Sequence, residues 1–144
     1  MNTVIVIYKK ECDEMENIRK INIMIADGCK DFCDILNDYL LNQRDIVVTG
    51  IANDGIELLK LIKIRKPDLI ILGVIMPKLD GLGVLERLNK MNIDPMPLII
   101  ILSAISEDTI MRRALTLGAN YYIIKPYDLS IFTSRIRKMS IRGL

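Results

Sequence analysis

Short apolar runs alternate along the chain with segments whose apolar residues recur at helical spacing. Five runs rich in β-branched residues predict strands, over residues 21–26, 46–51, 69–74, 98–102 and 121–124. Five amphipathic segments predict helices, over residues 31–41, 56–64, 82–88, 107–117 and from a cap at Asp128 to about residue 139. Three of these helices are assigned core-facing stripes: Phe32, Ile35, Leu36, Tyr39 and Leu40; Leu58, Leu59 and Ile62; and Ile131, Phe132, Ile136 and Met139.

This alternation predicts an α/β fold, with a doubly wound five-stranded parallel sheet covered by five helices. The fully apolar run 69–74 is typical of a central parallel strand buried on both faces. Parallel strands need crossover helices, and right-handed crossovers place those helices on both faces of the sheet. Residues 3–8 (Thr-Val-Ile-Val-Ile-Tyr) stand outside the pattern. They could pair with an edge strand, mediate self-association or stay loose, and the sequence leaves all three open.

Composition favours one soluble domain. The chain has 144 residues, of which 51% are hydrophobic and 26% charged, with a net charge of +2. Its apolar runs are too short to cross a bilayer, and no leader precedes them, so we expect a cytoplasmic protein that binds neither membrane nor nucleic acid. The basic residues of the last helix are interpreted as a solvated or protein-binding rim: Arg135, Arg137, Lys138 and Arg142.

The cysteine and histidine counts exclude several kinds of chemistry. Three cysteines and no histidine argue against a disulfide scaffold, a zinc site and most hydrolase mechanisms. Cys29 and Cys33 lie one helical turn apart, but without further ligands nearby they are interpreted as ordinary helix residues.

Polar residues cluster where the predicted strands end. Asp27 follows the first strand, Ser103 the fourth and Lys125 the fifth, whereas Gly73 falls at the end of the third. Ligands of open α/β sheets bind beyond the carboxyl ends of the strands. The sequence therefore predicts a sparse polar site with one carboxylate, one hydroxyl and one ammonium.

Several motifs around these residues resemble those of a known family. They are Ile-Met-Pro-Lys-Leu-Asp-Gly at 75–81, Leu-Ser-Ala at 102–104, Leu-Gly-Ala at 117–119 and Tyr-Tyr-Ile-Ile-Lys-Pro at 121–126. From about residue 15 to 139 the chain resembles the CheY-like receiver domains of bacterial response regulators. It is most similar to the receiver of the sporulation master regulator of endospore-forming bacteria. The resemblance implies the flavodoxin-like receiver fold.

The resemblance also implies roles for individual positions, and two of them lack the expected acid. Receivers carry two acidic residues after the first strand, and here the first is Asp27 while the second is replaced by Gly28. Gly73 stands at the place of the phosphoacceptor aspartate. By the same resemblance the remaining parts are the switch hydroxyl of Ser103, the switch aromatic Tyr122, the lysine Lys125 and the metal-binding backbone carbonyl of Ile75.

The two glycines change the expected chemistry. Gly73 has no atom that can attack a phosphoryl donor, so no aspartyl phosphate can form there. Mg²⁺ prefers several hard oxygen ligands, and Asp27 alone would hold it weakly or not at all, so we expect no cofactor. One carboxylate beside one lysine is nearly neutral, which predicts that Asp27 and Lys125 pair directly or through water. Two separate losses favour a natural pseudo-receiver over an introduced change.

The functional hypothesis is a stand-alone, phosphorylation-independent receiver that is not an enzyme and acts through protein contacts. Residues 1–14 are interpreted as an extension and 15–144 as the pseudo-receiver, with no output domain. By resemblance the partner is a kinase, a phosphotransfer protein, another response regulator or a second copy, bound through helix four, strand five and helix five. One alternative is an anion sensor using the cavity near Ser103 and Lys125. A more remote one is phosphorylation of another residue.

Overall fold

The computed structural model describes residues 19–143, with side chains for residues 19–139. Five strands alternate with five helices in this range. The strands are β1 (Ile21–Ala26), β2 (Ile46–Ala52), β3 (Leu69–Leu72), β4 (Leu98–Ser103) and β5 (Tyr121–Ile124). The helices are α1 (Lys30–Leu41), α2 (Gly55–Arg65), α3 (Gly81–Lys90), α4 (Asp108–Thr116) and α5 (Leu129–Gly143).

All strand pairs of the sheet are parallel, and the strand order is β2-β1-β3-β4-β5. The predicted α/β class and five-stranded doubly wound sheet are therefore confirmed. Helices α1 and α5 bury their apolar residues on one face, and α2, α3 and α4 bury theirs on the other. Strand β3, in the centre, is buried along its whole length, as its apolar sequence predicts.

Three caps fix where helices begin. Asp54 accepts the N–H of Glu57 at 2.8 Å, Asp80 accepts that of Gly83 at 2.7 Å, and Asp128 accepts that of Ser130 at 2.8 Å. A side-chain acceptor at this position satisfies an amide that has no partner within the helix. These three caps lie in the loops after β2, β3 and β5, and because all strand pairs are parallel the βα loops share one edge of the sheet.

Strand β3 is shorter than the predicted run 69–74. It ends at Leu72, and the Gly73 N–H makes the last bond of the β1–β3 ladder, to the Ala26 carbonyl at 2.8 Å. Beyond it, the Val74 carbonyl accepts from the Gly81 N–H at 2.8 Å and no longer from a neighbouring strand. Gly73 therefore lies in the loop that follows the strand.

Two residues assigned to core-facing stripes were placed wrongly. Ile35 on α1 is 62% exposed and Ile131 on α5 is 51% exposed. In α1 the smaller Cys33 is buried instead, with Leu36 and Leu40 one and two turns further on. In α5 the buried set is Phe132, Ile136 and Met139. An i, i+4, i+7 stripe covers one narrow face, and a residue adjacent in sequence lies about 100° away from it.

The solvated rim expected on α5 also needs correction at Arg137. Its guanidinium donates to both carboxylate oxygens of Asp45, at 2.7 and 3.0 Å, and to the Gln43 side chain at 2.6 Å. It therefore ties α5 to the loop before β2, whereas Arg135 and Lys138 are exposed. The Arg142 side chain, the extension 1–14 and the strand considered at 3–8 lie outside the described residues.

Candidate functional site

The predicted site residues meet at the carboxyl-terminal edge of the sheet. Asp27 follows β1, Gly73 follows β3, Ser103 ends β4, and Lys125 follows β5. Residues Asp27, Gly28, Ile75, Ser103 and Lys125 line one cavity of about 390 Å³. Strand order explains this convergence, since β1, β3, β4 and β5 are consecutive neighbours in the sheet.

Both carboxylate oxygens of Asp27 accept hydrogen bonds. Oδ1 accepts the N–H of Cys29 at 2.8 Å, and Oδ2 accepts from the Lys125 ammonium at 2.9 Å. The residue is only 7% exposed. The predicted Asp27–Lys125 pair is therefore confirmed as a direct, largely buried ion pair. Removal of one partner would leave an uncompensated charge in a poorly solvated place.

Two further contacts hold Lys125. Its ammonium lies 3.5 Å from the centroid of the Phe32 ring, and its backbone N–H donates to the Ser103 carbonyl at 2.9 Å. The peptide bond from Lys125 to Pro126 is cis. Sequence reasoning missed Phe32, which it assigned only to the core. The cation over the ring face adds a stabilising contact to the ion pair.

The space beside Gly73 is already occupied. A Cβ built on Gly73 would lie 2.8 Å from Asp27 Oδ2 and 3.1 Å from its Cγ. Real Cβ atoms essentially never approach another heavy atom within 3.0 Å. Asp27 thus leans over position 73, and any side chain there would require Asp27 to move away from its present contacts.

Gly28 is exposed, but backbone lies close to it on one side. A Cβ on Gly28 would lie 2.8 Å from the carbonyl oxygen of Ile75. The Ile75 side chain points outward and is 72% exposed, so only its main chain forms part of the site. A side chain at position 28 would therefore displace the β3–α3 loop, which is harder to shift than a flexible side chain.

Ser103 and Tyr122 share one loop residue as their partner. Ser103 Oγ accepts the N–H of Ile105 at 3.1 Å, and the Tyr122 hydroxyl donates to the Ile105 carbonyl at 2.6 Å. Ser103 is 5% exposed, and Tyr122 is half-buried. The two residues therefore fix the β4–α4 loop in one position.

The cysteines near the site differ in accessibility. Cys29 is exposed and precedes α1, whereas Cys33 is fully buried, and both are free thiols. Burial, reinforced by the nearby charge of Asp27, raises the pKa of the Cys33 thiol to about 11. Cys33 is therefore protonated at neutral pH, in keeping with its interpretation as an ordinary helix residue.

The cavity has a balanced charge. Asp27 and Lys125 are its charged lining groups, and they neutralise each other. Among the residues whose side chains are described, no three His, Cys, Asp or Glu side chains come together in a way that could hold a metal ion. In the same part of the chain, no helix has the length and apolar character needed to cross a membrane.

Comparisons with known proteins identify the family and the fold of this chain. The family model of the response regulator receiver domain matches residues 23–137. This match covers more than half of the chain, and the chain belongs to the response regulator receiver domain family. The finding confirms the family resemblance and the flavodoxin-like receiver fold.

Three solved structures illustrate the likeness. The receiver domain of Francisella response regulator 1452 is 28% identical, with 87% of this chain and 100% of that chain covered and a TM-score of 0.76. The response regulator domain of Thermotoga maritima CheB is 28% identical, with 86% and 90% covered and a TM-score of 0.69. CheY of Borrelia burgdorferi, solved as a complex with CheX, BeF₃ and Mg²⁺, is 26% identical, with 85% and 90% covered and a TM-score of 0.73.

Proposed function

We propose that this receiver domain works without a phosphoryl group at position 73 and acts through protein contacts of α4, β5 and α5. The supporting observation is that Asp27 and Lys125 form an ion pair inside the site. Asp27 Oδ2 lies 2.8 Å from where a Cβ of residue 73 would stand, and the same oxygen accepts from Lys125. Asp27 thus fills the space beside Gly73.

The donor set at this edge suits Mg²⁺ poorly. Mg²⁺ is usually held by one or two carboxylates together with phosphate and water oxygens. Here Asp27 supplies the carboxylate, and both of its oxygens already accept hydrogen bonds. A divalent cation would have to compete with the Lys125 ammonium at 2.9 Å for the same oxygen. We therefore propose that the chain does not depend on Mg²⁺.

The surface proposed for partner binding carries apolar side chains that its own fold leaves uncovered. Leu115 on α4, Tyr121 and Ile124 on β5, and Ile131 on α5 are between 40% and 51% exposed. Strand β5 is an edge strand, so one side of its backbone is unpaired within the described sheet. Exposed large apolar residues on neighbouring elements are a feature of protein-binding surfaces.

In this proposal, the partner is a protein of the signalling systems in which receiver domains act. Borrelia CheY was solved bound to a protein, CheX, together with BeF₃ and Mg²⁺. We propose that this chain keeps the protein-binding property alone, toward a kinase, a phosphotransfer protein, another response regulator or a second copy. From the sequence resemblance to sporulation receivers, we propose that it acts near sporulation control.

The anion-sensing alternative has less support. It requires an ammonium available to a ligand, whereas Lys125 is paired with Asp27. A cavity of balanced charge gives an anion little advantage over water. Thermal-shift screening with phosphorylated metabolites distinguishes the two functions, because a specific ligand raises Tm with its concentration.

The test of the proposed surface uses a matched pair of full-length variants. Ile124→Asp places a charge on β5, and Ile64→Asp places the same charge on α2, where Ile64 is 75% exposed. We expect proteins captured from the native lysate, and any self-association seen by sedimentation, to be lost with Ile124→Asp and kept with Ile64→Asp. Equal binding by both variants would exclude this surface.

A further inference from the structure

A second cavity lies at the opposite edge of the sheet, where the strands begin. We call it the basal cavity; its volume is about 490 Å³. Its floor is apolar and comprises Ile62, Pro67, Met91, Ile93 and Pro97. Ile62, Pro67 and Pro97 are buried, and Met91 and Ile93 are half-buried. None of these residues belongs to the site around Asp27 or to the surface proposed for partners.

The rim of the basal cavity is basic on one side. Lys63 and Lys66, at the end of α2, line it and are exposed. Within the described part of the chain, the ion pairs do not include either lysine. Asp68 and Asp94 line the same cavity, and Asp68 is paired with Arg19. The two lysines therefore outnumber the one remaining carboxylate, Asp94, and can attract an acidic segment.

The amino-terminal part of the chain reaches the fold at this rim. Arg19 Nη2 lies 3.6 Å from Oδ1 of Asp68, and Asp68 lines the basal cavity. The residues before Arg19 therefore start within a side chain's length of the cavity. Ten residues, 9–18, separate the apolar run 3–8 from Arg19, and in extended form they span at most about 35 Å.

The composition of that segment matches the cavity in two respects. Residues 3–8 are almost entirely apolar and need a surface to be buried against. Residues 9–18 carry four carboxylates and two lysines: Glu11, Asp13, Glu14 and Glu16 against Lys9 and Lys10. The linking segment is thus acidic and would pass the basic rim.

We propose that residues 3–8 of the same chain pack into the basal cavity, with the acidic residues 9–18 lying along Lys63 and Lys66. This inference goes beyond the proposed function and does not depend on it, because it concerns the edge of the sheet opposite to Asp27. It gives the amino-terminal segment a role as an intramolecular strap over the base of the domain.

The first test compares two full-length variants with equal added charge. Ile5→Asp combined with Ile7→Asp disrupts the apolar run, and Asn2→Asp combined with Asn17→Asp adds two carboxylates outside it. We expect the first variant to lower Tm by on the order of 5 °C, since two buried aliphatic side chains become charged. The second should leave Tm unchanged. An unchanged Tm in the first variant would overturn the proposal.

The second test locates the contact directly. In methyl-labelled wild-type protein, we expect nuclear Overhauser effects between the methyl groups of Ile5 or Ile7 and those of Ile62 or Ile93. Their absence in the wild-type protein would contradict the proposal. Effects that appear only at high protein concentration would also contradict it, because they would assign the cavity to a second copy.

Discussion

The edge of the sheet around Asp27 and the face formed by α4, β5 and α5 differ in how many of their side chains already have partners within the fold. At the edge, Asp27 has both oxygens bonded, Lys125 is paired, and a Cβ at position 28 or 73 would meet an atom at 2.8 Å. On the face, four large hydrophobic side chains, including Tyr121 and Ile124, stay 40–51% exposed. Chemistry at the edge therefore has to displace existing contacts, whereas binding at the face adds contacts where few exist.

The strongest expected effect comes from breaking the ion pair at the edge. Lys125→Met leaves the Asp27 carboxylate, 7% exposed, without its cation. We expect the free energy of unfolding to fall by about 3 kcal/mol, the usual cost of leaving one charge of a buried pair unpaired. Urea unfolding measures it.

A double variant serves as its control. Lys125→Met combined with Asp27→Asn removes both charges, and it should recover much of the lost stability. If Lys125→Met were as stable as the wild type, the ion pair between Asp27 and Lys125 would contribute nothing to the free energy of unfolding.

The next effect concerns position 73. Gly73→Asp puts a second carboxylate beside Asp27 Oδ2, whereas Gly73→Asn has nearly the same shape without the charge. We expect the aspartate variant to be less stable than the asparagine variant by about 2 kcal/mol at neutral pH, because like charges repel in a poorly solvated site. Urea unfolding of the two variants at neutral pH measures the difference, and equal stability of the two would contradict the expected repulsion.

The Gly73→Asp variant also tests whether an aspartate at position 73 can be phosphorylated. Gly73→Asp alone is expected to gain little aspartyl phosphate from acetyl phosphate, because Gly28 still lacks its acid. Efficient phosphorylation of this single variant would mean that the missing metal ligand matters less than we propose.

A smaller effect concerns the anchoring of α5, which carries part of the exposed face. The hydrogen bond from Arg137 holds the pKa of Asp45 below its ordinary value of 3.8. A lowered pKa in the folded state stabilises the protein above pH 4, and that contribution disappears as the pH falls through the folded-state pKa. We expect Asp45→Asn to cost about 1 kcal/mol at pH 7, since the pair is partly exposed and screened.

Unfolding of the wild type and of Asp45→Asn should be compared across pH. The two proteins should become equally stable at strongly acidic pH. A stability difference that does not depend on pH would mean that the Arg137 contact acts through shape alone.

The smallest effect is on thiol reactivity and leaves stability unchanged. Cys29 is exposed, whereas the Cys33 pKa of about 11 leaves roughly one thiol in a thousand ionised at pH 8. Iodoacetamide followed by peptide mapping should label Cys29 in the folded protein and Cys33 only after unfolding. Equal labelling of both would indicate that the edge near Asp27 opens readily.

Apolar patterning was sufficient to predict the fold. Alternating strand and helix signals placed most elements within one or two residues, because a buried strand and an amphipathic helix each need a regular pattern. The same reasoning failed at Ile35 and Ile131, where hydrophobicity alone does not say which side of a helix meets the sheet. It also failed at Arg137, whose partner Asp45 is distant in sequence.

Only part of the site was predicted, because the sequence pattern places residues along the fold but does not give their side-chain conformations. The convergence of Asp27, Ser103 and Lys125 follows from parallel strands ending at one edge, and the ion pair follows from the balance of charge. The position of Asp27 over Gly73, and that of Phe32 beneath Lys125, depend on side-chain conformations that no spacing in the sequence encodes.

The central claim is that the edge around Gly73 no longer binds a phosphoryl group, and amide NMR tests it most directly. Labelled wild-type protein is titrated with BeF₃⁻ and Mg²⁺ beside a phosphorylatable receiver as the positive control. We predict no saturable shifts at Ser103, Ile105 and Lys125 while the control responds. Saturable shifts at these residues would contradict the account.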